Sequence, residues 1–382
     1  MNKAMDKDPS SIREFFINKG YTFCNPAMTI PADIVMNFMG EDVRNRLLFT
    51  SSPSGDELCL RPDFTLPLAI SYINNEVQAN KFVYDGYAFR FPSINEKTRY
   101  CPEFRQIGIE NFGDINKINV EGDVISQACE ILSSFYDDHL EIKISDISMF
   151  YQLLNHLKID TYLFNRVRRL YWSGLGATEI KDSIKKIINT RFEAKPRLDL
   201  IDEYKNNNLS STALIQKLTG SDDLSIFSGR RPDDIVKSYI DKSELINGTM
   251  INDTVIEQIT EFLSIKGDIS RVIELLDNFQ KKYHIDFAEG IENLENRVKI
   301  LKKNQIAKDM IEFNATLSRK VEYYTGLIFE IRTKDENKNE PIAIGGRYDK
   351  IFEELGSAEP IPAVGCSIYV DRLLFDEGNN ES

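Results

Sequence analysis

The sequence has few of the residues that build metal sites and disulfide frameworks, and it has no long hydrophobic run. Its 382 residues include five cysteines, none with CxxC spacing, so we expect reduced structural thiols. The three histidines, His139, His156 and His284, show no ligand spacing, which argues against a zinc site and a histidine-dependent catalytic triad. No apolar run approaches the ~20 residues that a membrane-spanning helix needs. We therefore predict no metal, no cofactor and no membrane partner.

Positive charge is also in deficit. Lys and Arg total 47 against 60 Asp and Glu, which gives a net charge of −13 and a pI near 5.0. Proteins that follow a phosphate backbone usually present a basic face, so this acidity argues against nucleic acid as a partner, although it does not exclude a local basic patch. The N-terminal segment MNKAMDKDPSSIREFF has no apolar signal-peptide region, and we predict a cytoplasmic protein.

Strand-rich ends enclose a helical middle. Residues 1–150 and 305–382 mix helices with alternating strands, whereas residues 151–304 carry apolar side chains at helical spacing almost throughout. The pattern predicts an α+β fold with one discontinuous domain, 1–150 with 305–382, and a mainly helical insertion at 151–304.

An antiparallel hairpin is predicted from two segments of period-two alternation, FVYDGYAFRF (82–91) and EFRQIGIENFG (103–113). On one face of the second strand, Gln106 and Glu110 flank Gly108 and lie about 13 Å apart at ~3.3 Å per residue. Arg90 shares a face with small residues on the first strand, and arginine suits a carboxylate or a phosphate. We predict that a ligand of amino-acid size rests over Gly108. A solvated sheet face with an ordinary Arg–Glu pair is the alternative.

Three further motifs bring polar groups to the ends of predicted elements. LRPDFT contributes Asp63 and Thr65 at a strand-to-helix turn, where simple helix capping is the alternative role. SRKVEYYTG contributes Arg319, Tyr323 and Tyr324, and because neighbours on a strand face opposite sides, one tyrosine is expected to be structural. GGRYD alone is a weak signal, since a glycine pair before a helix more often forms a turn than a phosphate cradle.

Together, the order and spacing of LRPDFT, FRF, EFRQIGIENFG, SRKVEYYTG, GGRYD and PAVGCSIYVDRL resemble the histidyl-tRNA synthetase-like class II fold. The resemblance covers about 10–150 and 305–375. It implies a six-stranded antiparallel sheet flanked by helices, usually as a dimer, with Pro31 at the dimer interface. It also implies a histidine site in which Asp63, Thr65 and Gln106 hold the α-amino group, Glu110 and Tyr324 meet the imidazole, Arg90 and Arg319 face the carboxylate or phosphate side, and Tyr323 belongs to the same set.

Three departures from the synthetase pattern imply that the chain does not charge tRNA. Pro92 stands two places after Arg90, where synthetases present an acidic residue that helps to hold ATP. Tyr369 stands where their third motif has a glycine beneath the nucleotide, so its ring would occupy adenosine space, although Arg372 of that motif is retained. The sequence given ends at Ser382, so we expect no anticodon-binding domain.

A synthetase-like protein without that domain resembles the family of ATP phosphoribosyltransferase regulatory subunits, as do LRPDFTLP, EYYTGLIFEI and EPIPAVGCSI. This resemblance implies a non-catalytic subunit in the first step of histidine biosynthesis. Such a subunit activates the short catalytic subunit, senses histidine for feedback inhibition, and forms a homodimer within a hetero-octamer. Two alternatives stay open: a histidine-activating class II ligase, and a scaffold protein with a vestigial site.

Overall fold

The computed structural model divides the chain into two units. It describes residues 8–39, 43, 45–91, 102–136, 140–193, 200–201, 203–206, 209–219, 236, 253–318, 323–334 and 340–373. Unit 1 comprises Met1–Gln152 and Ser264–Ser382, and unit 2 comprises Leu153–Leu263. None of the described helices is long and apolar enough to cross a bilayer.

A nine-stranded sheet organises unit 1. Its strands are β1 (Thr22–Phe23), β5 (Lys81–Phe89), β6 (Glu103–Phe112), β7 (Leu140–Asp146), β8 (Lys266–Asp268), β9 (Ile311–Asn314), β10 (Leu327–Thr333), β11 (Ala343–Arg347) and β12 (Ala363–Tyr369). The strand order is β1-β5-β6-β12-β11-β10-β7-β9-β8, and all neighbours are antiparallel except β1–β5 and β7–β9. The predicted α+β class is confirmed, and the sheet is wider than the six strands that the resemblance implied.

A small second sheet and several helices complete unit 1. The sheet has the order β2-β4-β3, with β2 (Thr29–Pro31), β3 (Phe49–Ser51) and β4 (Glu57–Leu60). The helices are α1 (Ser10–Asn18), α2 (Ala32–Met39), α3 (Thr65–Ile73), α4 (Lys117–Leu132), α5 (Ile147–His156), α10 (Ile269–Tyr283), α11 (Ala288–Lys303), α12 (Ile351–Glu354) and α13 (Val370–Leu373), with a 3₁₀ turn at Lys308–Met310. Helix α5 begins in unit 1 and ends in unit 2.

Helix α4 covers the centre of the sheet with the apolar stripe that the sequence predicts. Val124, Ile125 and Leu132 are among its buried side chains, and burying each stabilises the fold by about 1.5–3 kcal/mol relative to exposure. On its other side α4 approaches α11 closely at Gly122, where an added methyl group would lie 2.4 Å from Ile300 Cγ2. The glycine therefore permits the two helices to pack.

Unit 1 contains residues that the sequence analysis assigned to the helical insertion. Residues 264–304 belong to unit 1, because β8 pairs with β9 and α11 packs on α4. The boundary predicted at 304 is wrong, since a helix on a sheet shows the same apolar spacing as a helix in a helical domain. Unit 2 contains α6 (Thr161–Trp172), α7 (Ala177–Glu193), α8 (Ser211–Thr219) and α9 (Asp253–Leu263).

Candidate functional site

Four neighbouring strands of unit 1 bring together the two ends of the chain that carry the predicted site motifs. In the sheet, β5 and β6 form the predicted hairpin and lie beside β12 and β11. Glu110 on β6 is paired with Gly365 on β12, which is paired in turn with Gly346 on β11. An added methyl group at Gly365 would lie 1.5 Å from Glu110 Oε2. The carboxyl of Glu110 therefore occupies the space above a strand position that has no side chain.

Glu110 is the most buried acidic group of the predicted site, with 1% of its surface exposed. Its Oε1 accepts a hydrogen bond from Thr65 Oγ1, the first residue of α3, at 2.6 Å, and its Oε2 accepts one from the Tyr348 hydroxyl. Burial raises the pKa of Glu110 from its ordinary 4.5 to about 8, although both hydroxyl donors lower it. Near neutral pH the carboxyl is therefore largely protonated, and a cationic ligand would favour its ionised form.

Asp63 supplies a second buried carboxyl group to the same site. Its Oδ1 accepts from the Leu66 amide at 3.3 Å, as helix capping predicts, and its Oδ2 accepts from the Tyr323 hydroxyl at 3.4 Å. Burial raises the pKa of Asp63, whereas the Leu66 hydrogen bond and the positive charge of Arg90 lower it. Within the described ranges, neither Asp63 nor Glu110 forms a salt bridge. Two buried carboxyl groups that have no salt bridge among the described residues suit a ligand with several N–H donors.

We call the hydrogen-bonded group around these two carboxyls the site cluster: Asp63, Thr65, Glu110, Tyr323 and Tyr348. The ring of Tyr324 borders it: the ring centroid of Tyr323 lies 4.9 Å from that of Tyr324 and 5.6 Å from that of Tyr348. Among the described residues, no group of three or more His, Cys, Asp or Glu side chains is placed to hold a metal ion. The carboxyl and hydroxyl groups of the site cluster are of the kind that hydrogen-bond a small ligand.

The adjacent tyrosines do not face opposite sides as predicted. Tyr323 and Tyr324 precede β10 and lie outside any strand, so the alternation of a strand does not apply to them. Both rings contact Tyr348, with ring centroids 5.6 Å and 6.5 Å away. The predicted placement on opposite sides is wrong, because a turn allows consecutive side chains to lie on one side. That at least one of the two tyrosines is structural stays a prediction.

The space over Gly108 is filled by the protein itself. An added methyl group there would lie 2.2 Å from the hydroxyl oxygen of Tyr84. The Tyr84 ring stacks on Phe64 with centroids 4.3 Å apart, and its hydroxyl lies 2.6 Å from Ser367 Oγ. The predicted ligand position over Gly108 is wrong, because the missing side chain makes room for a tyrosine from the neighbouring strand.

Gln106 and Arg90 lie nearer the loop end of the hairpin than Glu110 does, and the charge of Arg90 still acts on Asp63 of the site cluster. Gln106 is paired with Gly86 on β5 and with Tyr369 on β12; it is 2% exposed, and its Oε1 has no hydrogen-bond partner among the described residues. The Arg90 guanidinium carbon lies 5.4 Å from the centroid of the Phe104 ring. Arg319 lies outside the described residues. Eight residues are predicted to bind histidine, and this stays a prediction: Asp63, Thr65, Arg90, Gln106, Glu110, Arg319, Tyr323 and Tyr324.

Tyr348 is the site residue that the sequence analysis missed. The segment GGRYD was interpreted as a turn, but its two glycines belong to β11 and pair with β12. The Tyr324 ring would lie 2.8 Å from a methyl group added at Gly346, so this glycine gives the tyrosine room. Strand alternation places Tyr348 on the face of Gly346 and hence of Glu110, a signal that becomes readable once the glycines are assigned to a strand.

Tyr369 stands at the other end of the predicted pocket and is packed against the retained motif arginine. Its ring centroid lies 5.9 Å from that of Phe104, and the Arg372 guanidinium carbon lies 4.0 Å from the Tyr369 ring. Arg372 also donates to the Pro341 carbonyl and lies 2.9 Å from Glu340 Oε2. Both the ring and the guanidinium are therefore held by contacts within the chain.

Comparison with known proteins identifies the family. A family model described as histidyl-tRNA synthetase matches residues 3–218 and 236–373. The chain belongs to the histidyl-tRNA synthetase family. Among curated relatives, an ATP phosphoribosyltransferase regulatory subunit of Chelativorans sp. (strain BNC1) is 28% identical over 372 residues, which cover 97% of both chains. A protein of the same name from Mesorhizobium japonicum is 27% identical and covers 95% of both chains.

Solved structures of this family show the same fold. A Bacillus halodurans protein described as an ATP phosphoribosyltransferase regulatory subunit/histidyl-tRNA synthetase matches 98% of this chain and 80% of its own, with a TM-score of 0.64 and 16% identity. Histidyl-tRNA synthetase from Nostoc sp. PCC 7120 matches 96% of this chain and 69% of its own, with a TM-score of 0.58 and 17% identity. The predicted resemblance to synthetase-like regulatory subunits is confirmed.

Proposed function

We propose that this chain is a non-catalytic regulatory subunit of ATP phosphoribosyltransferase. In this role it assembles with the short catalytic subunit, raises its activity, and binds histidine as the feedback inhibitor of histidine biosynthesis. The observation that carries the proposal is the similarity over 97% of both chains to a relative of that name. The site cluster supports it, because its buried carboxyl and hydroxyl groups suit the N–H groups of a small ligand. At the other end of the predicted pocket, the ring of Tyr369 is packed against Arg372.

Histidine fits the chemistry of the described side chains. In the proposed complex the Glu110 carboxylate accepts an imidazole N–H and a tyrosine hydroxyl serves the other ring nitrogen. Asp63 and the unpartnered Oε1 of Gln106 suit the α-amino group, and Arg90 suits the carboxylate. A charge-assisted hydrogen bond of this kind contributes about 1.5–3 kcal/mol.

We further propose a cytoplasmic homodimer within a hetero-octamer, without tRNA or membrane as partner. The exposed apolar surface near β2 supports pairing of two copies there: Pro31 is exposed, and Met28 and Phe49 are 51% and 42% exposed. The net charge of −13 supports the absence of tRNA, because a phosphate backbone favours a basic surface. Sedimentation of the chain alone and with its partner measures the stoichiometry.

Co-purification with the short catalytic subunit tests the regulatory role. We expect a stable complex in which formation of phosphoribosyl-ATP is at least about tenfold faster than by the catalytic subunit alone. Histidine should inhibit the complex, and the coupling free energy of such regulation is typically about 1–3 kcal/mol. The catalytic subunit with an unrelated acidic protein is the control. A chain that neither binds nor activates the catalytic subunit would contradict the proposal.

A histidine-activating ligase is the second candidate. It is favoured by Arg90, whose guanidinium has no hydrogen bond among the described residues and would suit a phosphate. Tyr369 argues against it, because its ring is already in contact with Phe104 and Arg372. Exchange of pyrophosphate into ATP, dependent on histidine, would support the ligase over the regulatory subunit.

We expect no such exchange, and we expect Tyr369→Ala to bind ATP more tightly than the wild type does. Removal of the ring leaves Phe104 and Arg372 free to contact a purine, worth ~1–3 kcal/mol per stacked base. Calorimetric titration with ATP measures the change. Tyr87→Ala, which removes a ring from β5 that is 48% exposed, is the matched control. Equal ATP affinity in all three proteins would show that Tyr369 does not close a nucleotide site.

The third candidate, a scaffold with a vestigial site, differs from the regulatory subunit in ligand binding. It predicts that calorimetry detects no histidine binding, either by the chain alone or by its complex with the catalytic subunit. Burying the carboxyl groups of Asp63 and Glu110 without a salt bridge among the described residues costs folding free energy, as their raised pKa values indicate. Such groups are concentrated at functional sites, which argues for a site that still has a ligand.

A further inference from the structure

A group of charged side chains, buried except for the half-exposed Lys117 and the partly exposed Asp349, lies behind the end of β11, on the face of the sheet that α4 covers. We call it the ionic cluster, and it contains equal numbers of positive and negative groups: Lys117, Glu121, Asp146, Arg297, Arg347 and Asp349. Glu121 is fully buried, and Arg297 and Arg347 are 4% and 5% exposed. Arg297 joins α4 to β7, because its Nε lies 2.5 Å from Glu121 Oε2 and its Nη1 lies 2.6 Å from Asp146 Oδ2.

Arg347 is held at all three of its guanidinium nitrogens. Its Nε donates to Glu121, its Nη1 donates to Asp349 Oδ1 at 2.8 Å, and its Nη2 donates to the Lys117 carbonyl at 3.0 Å. Buried charges cost free energy unless opposite charges and hydrogen bonds satisfy them. Arrangements of Arg347 that lose one of these contacts are therefore unfavourable, and the end of β11 has one preferred position.

The same strand end carries a residue of the site cluster on its opposite face. Because side chains alternate along a strand, Arg347 points toward α4 whereas Tyr348 points toward Glu110, to which its hydroxyl donates. The turn before β10 is attached to this strand end as well. The Thr325 amide donates to the Arg347 carbonyl at 2.8 Å, and the Asp349 amide donates to Thr325 Oγ1 at 3.1 Å.

We propose that Arg347 is a positioning residue for the histidine site. Its bonds to the ionic cluster hold the end of β11 where Tyr348 reaches Glu110, and they keep the turn with Tyr323 and Tyr324 beside both. The inference rests on the proposed function of the site, and it assigns a role in ligand binding to a residue that faces away from the ligand.

Arg347→Lys tests this role, with Arg297→Lys as the matched control. Lysine keeps the charge but cannot make three hydrogen bonds in the fork geometry of arginine. Both substitutions weaken contacts to Glu121 in the same buried cluster and should lower the thermal midpoint, but only Arg347 lies next to Tyr348. By calorimetry we expect the Kd for histidine to rise at least about tenfold in Arg347→Lys and less than about twofold in Arg297→Lys. Equal losses of affinity in both variants would overturn the inference, since they would reflect a general loss of stability.

A double-mutant cycle shows whether Arg347 acts through Tyr348. Tyr348→Phe removes the hydroxyl that meets Glu110, so the part of the Arg347→Lys effect that acts through this hydroxyl should disappear, and the fold-change of the double variant should be clearly smaller than the product of the two single ones. If the two substitutions weaken histidine binding independently, so that their fold-changes multiply, positioning through Tyr348 is wrong.

Titration of Glu110 in the ligand-free protein separates this inference from the proposed function. The Tyr348 hydrogen bond lowers the pKa of Glu110, so Tyr348→Phe and Arg347→Lys should both raise this pKa further, as followed by carboxyl ¹³C NMR. If the wild type binds no histidine, the proposed function fails, and this titration still decides the positioning role. An unchanged Glu110 titration in Arg347→Lys would then overturn the inference.

Discussion

Glu110→Gln is expected to remove most of the histidine affinity of the protein while leaving assembly with the catalytic subunit intact. The amide keeps the size of the carboxyl but loses the charge that attracts an imidazole, and one charge-assisted hydrogen bond is worth about 1.5–3 kcal/mol. Calorimetry should therefore show a Kd at least about tenfold higher, and the mixed complex should keep its activity in the presence of histidine. Full feedback inhibition of the Glu110→Gln complex would contradict the proposed site.

The same substitution should stabilise the ligand-free protein at alkaline pH. Burial raises the pKa of Glu110 to about 8 in the folded chain, whereas the unfolded chain has the ordinary value of 4.5. Folding therefore takes up a proton between these two values, and the contribution of Glu110 to stability falls as the pH rises from 4.5 to 8. Glutamine does not titrate, so the stability gain of the variant should grow across this window, to on the order of a few kcal/mol.

Amide hydrogen exchange in β6, measured at pH 5 and pH 9, reports this effect within unit 1. Glu103→Gln is the matched control, because Glu103 is an exposed residue of the same strand. The control should behave like the wild type at both pH values. A Glu110→Gln variant whose gain in stability is the same at pH 5 and pH 9 would show that the buried carboxyl does not titrate in this range.

Gly365→Ala is expected to destabilise unit 1 and to abolish histidine binding together. The added methyl group would lie 1.5 Å from Glu110 Oε2 and 2.8 Å from the backbone carbonyl of Ile109. The carboxyl must leave the position in which it accepts hydrogen bonds from Thr65 and Tyr348, and the strand pair must separate slightly, because a backbone carbonyl cannot rotate aside. Overpacking of this kind costs about 1–3 kcal/mol, and we expect the upper part of that range.

Gly326→Ala is the control for the effect of a methyl group as such. At Gly326 the added group would lie 3.5 Å from Arg347 Cδ, which is ordinary van der Waals contact. Denaturant unfolding and histidine titration of both variants distinguish the two sites. A Gly365→Ala protein that binds histidine with wild-type affinity would show that Glu110 does not need its present position.

Local patterns were sufficient for the hairpin of the predicted site. Period-two alternation correctly predicted the hairpin of β5 and β6 and the shared face of Gln106 and Glu110. The alternation is set by the backbone of each strand and needs no partner. The same patterns failed for residues 264–304, because apolar spacing shows that a helix has a buried face and does not show what covers it.

Glycines were the least readable part of the sequence. At Gly108 the missing side chain accommodates Tyr84, and at Gly365 it accommodates the Glu110 carboxyl. A sequence shows that such positions are empty, but only the packing of neighbouring strands shows which side chain enters the space. For this reason the ligand position predicted over Gly108 was wrong.

The sequence by itself determined the α+β class, the family motifs, and a hairpin face with buried polar groups. The tertiary structure alone decided that Tyr348 meets Glu110 across 238 residues of sequence, and that Arg347 anchors the same strand end from the other face. The physical reason is that strand alternation is a local property of the backbone. The protonation of Glu110 and the position of Tyr348 depend instead on burial and on charges that the fold brings together from distant parts of the chain.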